Sequence, residues 1–156
     1  MGQSMSVSRR EGWYARGLVA AQFLLLGLWL AGATVAQCTA ALAVQAGGLV
    51  LAGWAFVTMS RAQRRLFRVS PDPTGHSQLV QDGPYRWIRH PMYASILAVT
   101  LPPAIEERSA GAMAVVLVLA LVLVAKLSFE ERLLLRHFPG YAGYRSRSWR
   151  LVPFVF

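Results

Sequence analysis

The chain has 156 residues, of which 55% are hydrophobic, and it carries a formal net charge of +9 at pH 7. So high an apolar content excludes an ordinary soluble domain of this size, and the length leaves room for one domain only. The charge does not indicate nucleic-acid binding, because the basic residues form separate clusters that flank apolar stretches. The composition therefore predicts a single integral membrane domain over residues 1–156.

The apolar stretches predict an all-α bundle with about four membrane-spanning helices. Residues 17–60 contain no Asp, Glu, Lys or Arg. About 20 helical residues cross a bilayer core, so this stretch fits two spans joined by a turn near residues 37–39. Further uncharged stretches cover 91–105 and 109–125. The third span is short and contains Pro102-Pro103, whereas the fourth continues into a helix that emerges from the bilayer.

Three basic segments flank these spans: a flexible arm at 1–12, a loop at 61–90, and a C-terminal interfacial helix and tail at 126–156. Together with Arg16 they hold every Lys and Arg except Arg108. An even number of spans puts all three on one face, which the positive-inside rule places in the cytoplasm. The preference for Arg over Lys suggests a bacterial source. We therefore expect a bacterial inner-membrane protein with both termini in the cytoplasm.

Polar and small residues within the first two spans predict contacts between helices. Gln22 and Gln45 lie at membrane depth, where an unpaired amide is costly, so each is expected to bond to a neighbouring helix. Gly47, Gly48 and Gly53 are small enough to let helices approach closely in lipid.

Two segments contain side chains suited to chemistry. Glu130 and Glu131 follow the last span, where paired carboxylates are costly unless they face protein or a polar cavity. The simpler interpretation is an i,i+4 ion pair of Lys126 with Glu130 and a solvated Glu131. In the other segment, Pro91 restricts the preceding His90 to an extended conformation before a helix begins. A structural, hydrogen-bonding histidine is the simpler interpretation there.

The two segments are expected at the same cytoplasmic boundary. Aromatic residues around His90 can hold a sulfonium or ammonium group, and a glutamate can accept hydrogen bonds from amino or ribose groups. His76 and His137 have no partner at ligand spacing, and the chain has one cysteine, so we expect no metal site. The usual nucleotide and hydrolase motifs are absent.

The run LVQDGPYRWIRHPMY at 79–93 resembles the signature of the isoprenylcysteine carboxyl methyltransferase and phospholipid methyltransferase superfamily. Glu130-Glu131 and the LVPF run at 151–154 resemble its closing pattern. The resemblance covers about residues 75–156. It implies transfer of a methyl group from S-adenosylmethionine to a membrane-embedded or amphiphilic acceptor. By motif position it implies a cofactor site formed by Gln78, Leu79, Val80, Tyr85, His90, Pro91, Met92, Tyr93 and Glu130.

The resemblance also suggests roles in the reaction. His90 and Glu131 are the candidate catalytic bases, needed if the acceptor is an amine. Lys126 is the candidate substrate-binding residue, because the prenylcysteine enzymes typically have there an Arg that meets the substrate carboxylate. The motifs favour the isoprenylcysteine-like branch. The alternatives are a phospholipid N-methyltransferase, then an NADPH-dependent membrane reductase or a non-catalytic membrane subunit. A lipophilic acceptor and membrane lipids are the expected partners.

Overall fold

The computed structural model describes residues 9–32, 35–63 and 79–156. Within these ranges the chain forms five α-helices and one short 3₁₀ helix at Gly83–Arg86. The α-helices are α1 (Arg9–Ala31), α2 (Thr39–Gln63), α3 (Pro91–Glu107), α4 (Ala110–His137) and α5 (Tyr141–Arg145). The predicted all-α architecture is confirmed.

Three of the described helices, α1, α2 and α4, are long and apolar enough to cross a membrane. The predicted count of about four spans is one more than this number, because α3 has only 17 residues, or about 26 Å at 1.5 Å per residue. Pro91 fixes the start of α3, and Arg108 ends it in a left-handed conformation with φ 53°. Its length is at the lower limit for a bilayer-spanning helix.

The helices extend into two of the predicted flanking segments. α1 begins at Arg9, so residues 9–12 are helical rather than part of a flexible arm. Glu11 in its first turn favours this early start, because a carboxylate stabilises the N-terminal end of a helix. α2 continues to Gln63, so the beginning of the predicted loop at 61–90 is also helical. Residues 1–8, 33–34 and 64–78 lie outside the described ranges.

α2 and α3 approach each other most closely at Gly48. A Cβ atom on Gly48 would lie 2.9 Å from Ala98 Cβ and 3.1 Å from the carbonyl oxygen of Ser95. A Cβ atom on Gly47 or Gly53 would meet no described atom within 4 Å. Of the three glycines predicted to permit close contact, Gly48 is therefore the one that limits the distance between α2 and α3.

Gln45 compensates for a proline inside α3. Pro103 has no N–H and cannot donate the usual hydrogen bond to the carbonyl oxygen of Val99. Gln45 Nε2, on α2, donates to that oxygen at 3.2 Å, and Gln45 Oε1 accepts a bond from the Ala36 N–H. The predicted interhelical bond of Gln45 is confirmed. It explains in part how α3 continues through Pro102 and Pro103 without a break.

α1 packs mainly against α4, the long helix that continues without interruption past the predicted span. Ala15 forms a small buried cluster with Phe129 and Leu133 of α4. Most large apolar side chains of α1 remain exposed, as expected for a helix surrounded by lipid. Gln22, a polar residue in the middle of α1, is by contrast buried against α4.

Candidate active site

A 3₁₀ helix leads into the bend at His90 and Pro91. Gly83 begins this helix with φ +57°, a conformation that favours glycine. A Cβ atom on Gly83 would lie 2.6 Å from Thr58 Oγ1, so the segment lies directly against α2. Pro91 then begins α3, where its missing N–H has no helical partner to lose. His90 precedes it with φ −123° and ψ 59°, so its backbone is not in the extended conformation that the sequence predicts.

The C-terminal tail pairs with this bend. The Arg89 N–H donates to the Trp149 carbonyl oxygen at 2.7 Å, and the His90 N–H donates to the Arg150 carbonyl oxygen at 3.0 Å. Ile88 and Trp149 form an isolated parallel bridge. The pairing places the side chain of Arg150 beside α4.

Glu131 is buried on α4 and bound by two arginines. Its Oε1 accepts a bond from Arg89 Nε at 2.8 Å, and its Oε2 accepts bonds from Arg150 Nε and Nη2 at 3.2 and 3.1 Å. Arg89 Nη1 also donates to the backbone carbonyl and the hydroxyl of Ser148, and to the Arg145 carbonyl oxygen at 3.0 Å. A buried charge needs such partners, because leaving it unpaired is strongly destabilising.

Glu130, the next residue, has a different environment. Its Oε1 accepts a bond from the Tyr93 hydroxyl at 2.5 Å, and its Oε2 lies 3.6 Å from His90 Nδ1. The Glu130 side chain is 18% exposed, compared with 3% for Glu131. Glu130 therefore keeps lone pairs that a ligand can use.

His90 lies between the two carboxylates. Its Nδ1 is 3.6 Å from Glu130 and its Nε2 is 3.6 Å from Glu131, both beyond ordinary hydrogen-bond length. The ring is buried and stacks on Tyr93, with the planes 3° apart. Nε2 has no hydrogen-bond partner among the described residues. A buried nitrogen of this kind normally bonds to a water or a ligand.

Lys126 lies one turn before Glu130 and reaches α1. Its Nζ donates to Gln22 Oε1 at 2.8 Å and lies 5.3 Å from the centre of the Tyr93 ring. It forms no ion pair with any described residue, so the simple Lys126–Glu130 pair is not observed. The predicted interhelical bond of Gln22 is confirmed. A buried ammonium with neutral partners is well suited to an anionic group on a ligand.

Tyr85 closes the site on the side of α2. It is buried in a cluster with Val80 and Ala55, against which Met92 packs. Burial raises the pKa of Tyr85 above its ordinary value, and the nearby Tyr144 and Glu130 raise it further. The Tyr85 carbonyl oxygen accepts a bond from the Tyr144 hydroxyl at 2.6 Å.

The two segments identified in the sequence therefore meet. The polar cluster contains His90, Tyr93, Lys126, Glu130 and Glu131. The residues that surround the cluster toward α2 include Val80, Tyr85, Pro91 and Met92. Leu79 is half-buried at the start of the segment. Gln78 lies outside the described residues. Within the described ranges, no three His, Cys, Asp or Glu residues are grouped so as to hold a metal ion.

Three contributors to the cluster were not predicted as site residues: Arg89, Arg150 and Gln22. Arg89 precedes His90 in the motif, so its position in the sequence could have identified it as a site residue. Arg150 resembles the other basic residues expected at the membrane boundary, and nothing in the sequence distinguishes it from them. Gln22 was expected to face a neighbouring helix, but its partner could not be named.

Comparison with known proteins gives one match. No curated protein and no solved structure matches the chain. The sequence profile of the phospholipid methyltransferase family matches residues 36–140. This range is well over half of the chain and contains the His90 bend and both glutamates, but neither α1 nor Arg150. The chain therefore belongs to the phospholipid methyltransferase family, within the superfamily of integral membrane methyltransferases.

Proposed function

We propose that the protein transfers a methyl group from S-adenosylmethionine to a membrane-embedded or amphiphilic acceptor. The observation that carries the proposal is the meeting of His90, Tyr93 and Glu130 at the end of a membrane bundle. Family membership supports methyltransferase activity independently.

The donor set fits this cofactor. Glu130 is partly exposed and accepts one hydrogen bond, so it can accept further bonds from amino or ribose groups. The stacked His90 and Tyr93 rings offer aromatic surface to a cation. His90 Nε2, which has no hydrogen-bond partner among the described residues, can bond to a polar group of the cofactor. The remaining cofactor-binding candidates are Gln78, Leu79, Val80, Tyr85, Pro91 and Met92.

S-Adenosylmethionine, when bound, supplies an electrophilic methyl group and leaves as the neutral thioether S-adenosylhomocysteine. The protein orients the cofactor and the acceptor and excludes water, which can contribute roughly 7–11 kcal/mol in favourable cases. For an ammonium acceptor, His90 would take the proton that leaves nitrogen before the N–C bond forms. A carboxylate acceptor reacts as the anion and requires no base.

Glu131 is better suited to positioning than to proton transfer. Both of its oxygens are engaged by the guanidinium groups of Arg89 and Arg150. These bonds stabilise the ionised carboxylate, and His90 lies within 3.6 Å of it. We therefore infer that Glu131 orients the His90 bend and holds it against α4.

Lys126 favours an acceptor with an anionic group. Its ammonium is buried without an ion-pair partner among the described residues. In an isoprenylcysteine-like reaction it would hold the carboxylate that becomes the methyl ester. The second candidate, phospholipid N-methylation, is favoured by the family match, and there Lys126 would hold the lipid phosphate.

Titration of the detergent-solubilised protein with S-adenosylhomocysteine tests the cofactor. We expect binding by the natural protein and roughly tenfold weaker binding by Glu130→Gln, which loses a charge-assisted hydrogen bond. Glu107→Gln is the matched control, because Glu107 is an exposed glutamate at the other end of α3. Equal affinity in all three would remove Glu130 from the site. Binding of NADPH in place of S-adenosylhomocysteine would indicate a reductase, and binding of neither would favour a non-catalytic subunit.

Product chemistry separates the two acceptors. Membranes containing the protein are incubated with S-adenosylmethionine carrying a radiolabelled methyl group, and the lipid extract is treated with alkali. A methyl ester releases labelled methanol, whereas an N-methyl group is retained. Release supports the isoprenylcysteine-like reaction, and retention supports phospholipid N-methylation.

The family and the three apolar helices make this an integral membrane protein. We propose that it resides in a bacterial inner membrane with both termini in the cytoplasm, α3 completing a fourth crossing. Cys38 is an exposed natural probe between α1 and α2. A membrane-impermeant maleimide should label Cys38 from outside intact spheroplasts. Labelling only after lysis would reverse the orientation.

A further inference from the structure

A groove of about 280 Å³ lies between the beginning of α1 and the end of α4. From α4 it is lined by Phe129, Arg132, Leu133 and Arg136, positions that share one helix face. Glu130 and Glu131 contact the His90 bend on another face. This α1–α4 groove is therefore separate from the candidate active site.

The groove has an apolar floor and a basic rim. Phe129 and Leu133 form the floor and are buried. Arg10, Arg132 and Arg136 are exposed at the rim. The Arg132 guanidinium lies 5.9 Å from the centre of the Phe129 ring, so its charge is held over the floor.

Positive charge in the groove exceeds the negative charge that faces it. Among the lining residues, Glu11 is the one carboxylate, and it pairs with Arg136 at 2.8 Å. Arg10 and Arg132 form no ion pair with any described residue. Two guanidinium groups, one from each helix, are thus available to an anion.

The surface around the groove has a charged part and an apolar part, as a phospholipid molecule has. Trp13 and Tyr14, both exposed, lie at the same end of α1 and suit the interfacial layer of a bilayer. Farther along α1, Leu24 and Leu28 are also exposed. An acyl chain can follow this apolar surface while the charged head remains at the groove.

We propose that the α1–α4 groove binds the phosphate of an anionic phospholipid. Guanidinium groups form paired, charge-assisted hydrogen bonds with phosphate oxygens. A zwitterionic lipid is disfavoured, because its ammonium group would meet the same positive rim. This ligand is distinct from the methyl acceptor, and the proposal does not depend on the proposed function.

Binding would add a contact between two helices that already pack together. α1 and α4 are joined by a small apolar cluster, by the Gln22–Lys126 hydrogen bond and by the Glu11–Arg136 ion pair. A phosphate held by Arg10 of α1 and Arg132 of α4 adds an ionic bridge at the end of that contact. The lipid should therefore raise the thermal stability of the full chain.

The test measures binding of phosphatidylglycerol to the full-length protein in neutral detergent, by native mass spectrometry and by the shift in Tm. Phosphatidylcholine with the same acyl chains and inorganic phosphate are the comparison ligands. We expect phosphatidylglycerol to bind and to raise the Tm, with little effect of the other two. In Arg10→Gln/Arg132→Gln the affinity should fall roughly thirtyfold, since each basic residue contributes about 1 kcal/mol.

The control is Arg9→Gln/Arg145→Gln, which removes the same charge from exposed arginines that do not line the groove. It should retain most of the affinity. Arg132→Lys, which keeps the charge and the fold but loses the paired geometry, should bind with intermediate affinity. Equal losses in the two double variants, or equal binding of phosphatidylcholine, would overturn the proposal. An equal Tm shift with inorganic phosphate would show that the ligand is a free anion rather than a lipid.

Discussion

The beginning and the middle of α3 are held in place by different forces. At the beginning, the His90 bend is fixed by ion pairs and hydrogen bonds to Glu131 and to the C-terminal tail. In the middle, α3 lies against α2 at Gly48 and is bonded by Gln45. Charge determines the geometry at one position, and close packing determines it at the other.

The difference accounts for the position of the candidate site. A packed interface has no spare hydrogen-bonding capacity, and it leaves no room for a ligand. The polar end combines a fully bonded carboxylate, Glu131, with a partly free one, Glu130. The first makes the frame rigid, and the second remains available for binding.

The largest effect is expected from Glu131→Ala. It leaves Arg89 and Arg150 without their carboxylate, and Arg89 is buried. Breaking a buried ion pair costs about 3–5 kcal/mol. Glu130→Ala, the matched control on the same helix, should cost much less, because Glu130 is more exposed and has one hydrogen-bonded partner. Unfolding in mixed micelles measures both, and equal losses would contradict the division between the two carboxylates.

A smaller effect is expected from Gly48→Ala. The added methyl group would lie 2.9 Å from Ala98 Cβ, so α2 and α3 must move apart. Overpacking of this kind costs about 1–3 kcal/mol. Gly47→Ala adds the same methyl group where no described atom lies within 4 Å, so it should be neutral or stabilising. The free energy of unfolding of the two variants should therefore differ in sign or by at least about 1 kcal/mol.

The smallest effect is expected from Tyr144→Phe, which removes the hydroxyl that donates to the Tyr85 carbonyl oxygen. The loss should be about 1 kcal/mol near neutral pH. Burial raises the pKa of Tyr144 to about 12, above an ordinary value near 10. The contribution of the hydroxyl is therefore fully present below about pH 10 and disappears as the pH rises through about 12. Unfolding curves for the two proteins should converge over that range, and a constant difference would exclude this bond as the cause.

Much of the packed region could be predicted, because its signals are local. The absence of charge marked α1, α2 and α4, and the polar Gln45 marked a helix contact. The sequence did not distinguish Gly48 from Gly47, since both are small and only the rotation of α2 decides which one meets α3. The sequence showed that the third span is short. Whether α3 is long enough to cross the bilayer depends on where it begins and ends, which Pro91 and Arg108 determine.

Less of the polar region could be predicted. The motifs identified His90, Tyr93, Glu130 and Lys126 as neighbours, whereas the partners of Glu131 and Lys126 come from distant segments. Arg150 reaches Glu131 only because Trp149 pairs with Ile88, and backbone pairing of two residues leaves no periodic pattern. Gln22 lies in a helix outside the family match, so no motif could connect it with Lys126.

The pairing of residues 149–150 with the bend has a consequence for biosynthesis. A ribosome makes Arg89 and Glu131 before Arg150, so these two residues can pair at the membrane boundary before the second guanidinium is in place. Glu131 gains its second arginine partner only when the C-terminal tail has emerged and folded back against the bend. A truncated chain that stops before Trp149 should thus insert into the membrane correctly but lack a rigid His90 bend. Insertion and completion of the candidate site are therefore separate steps.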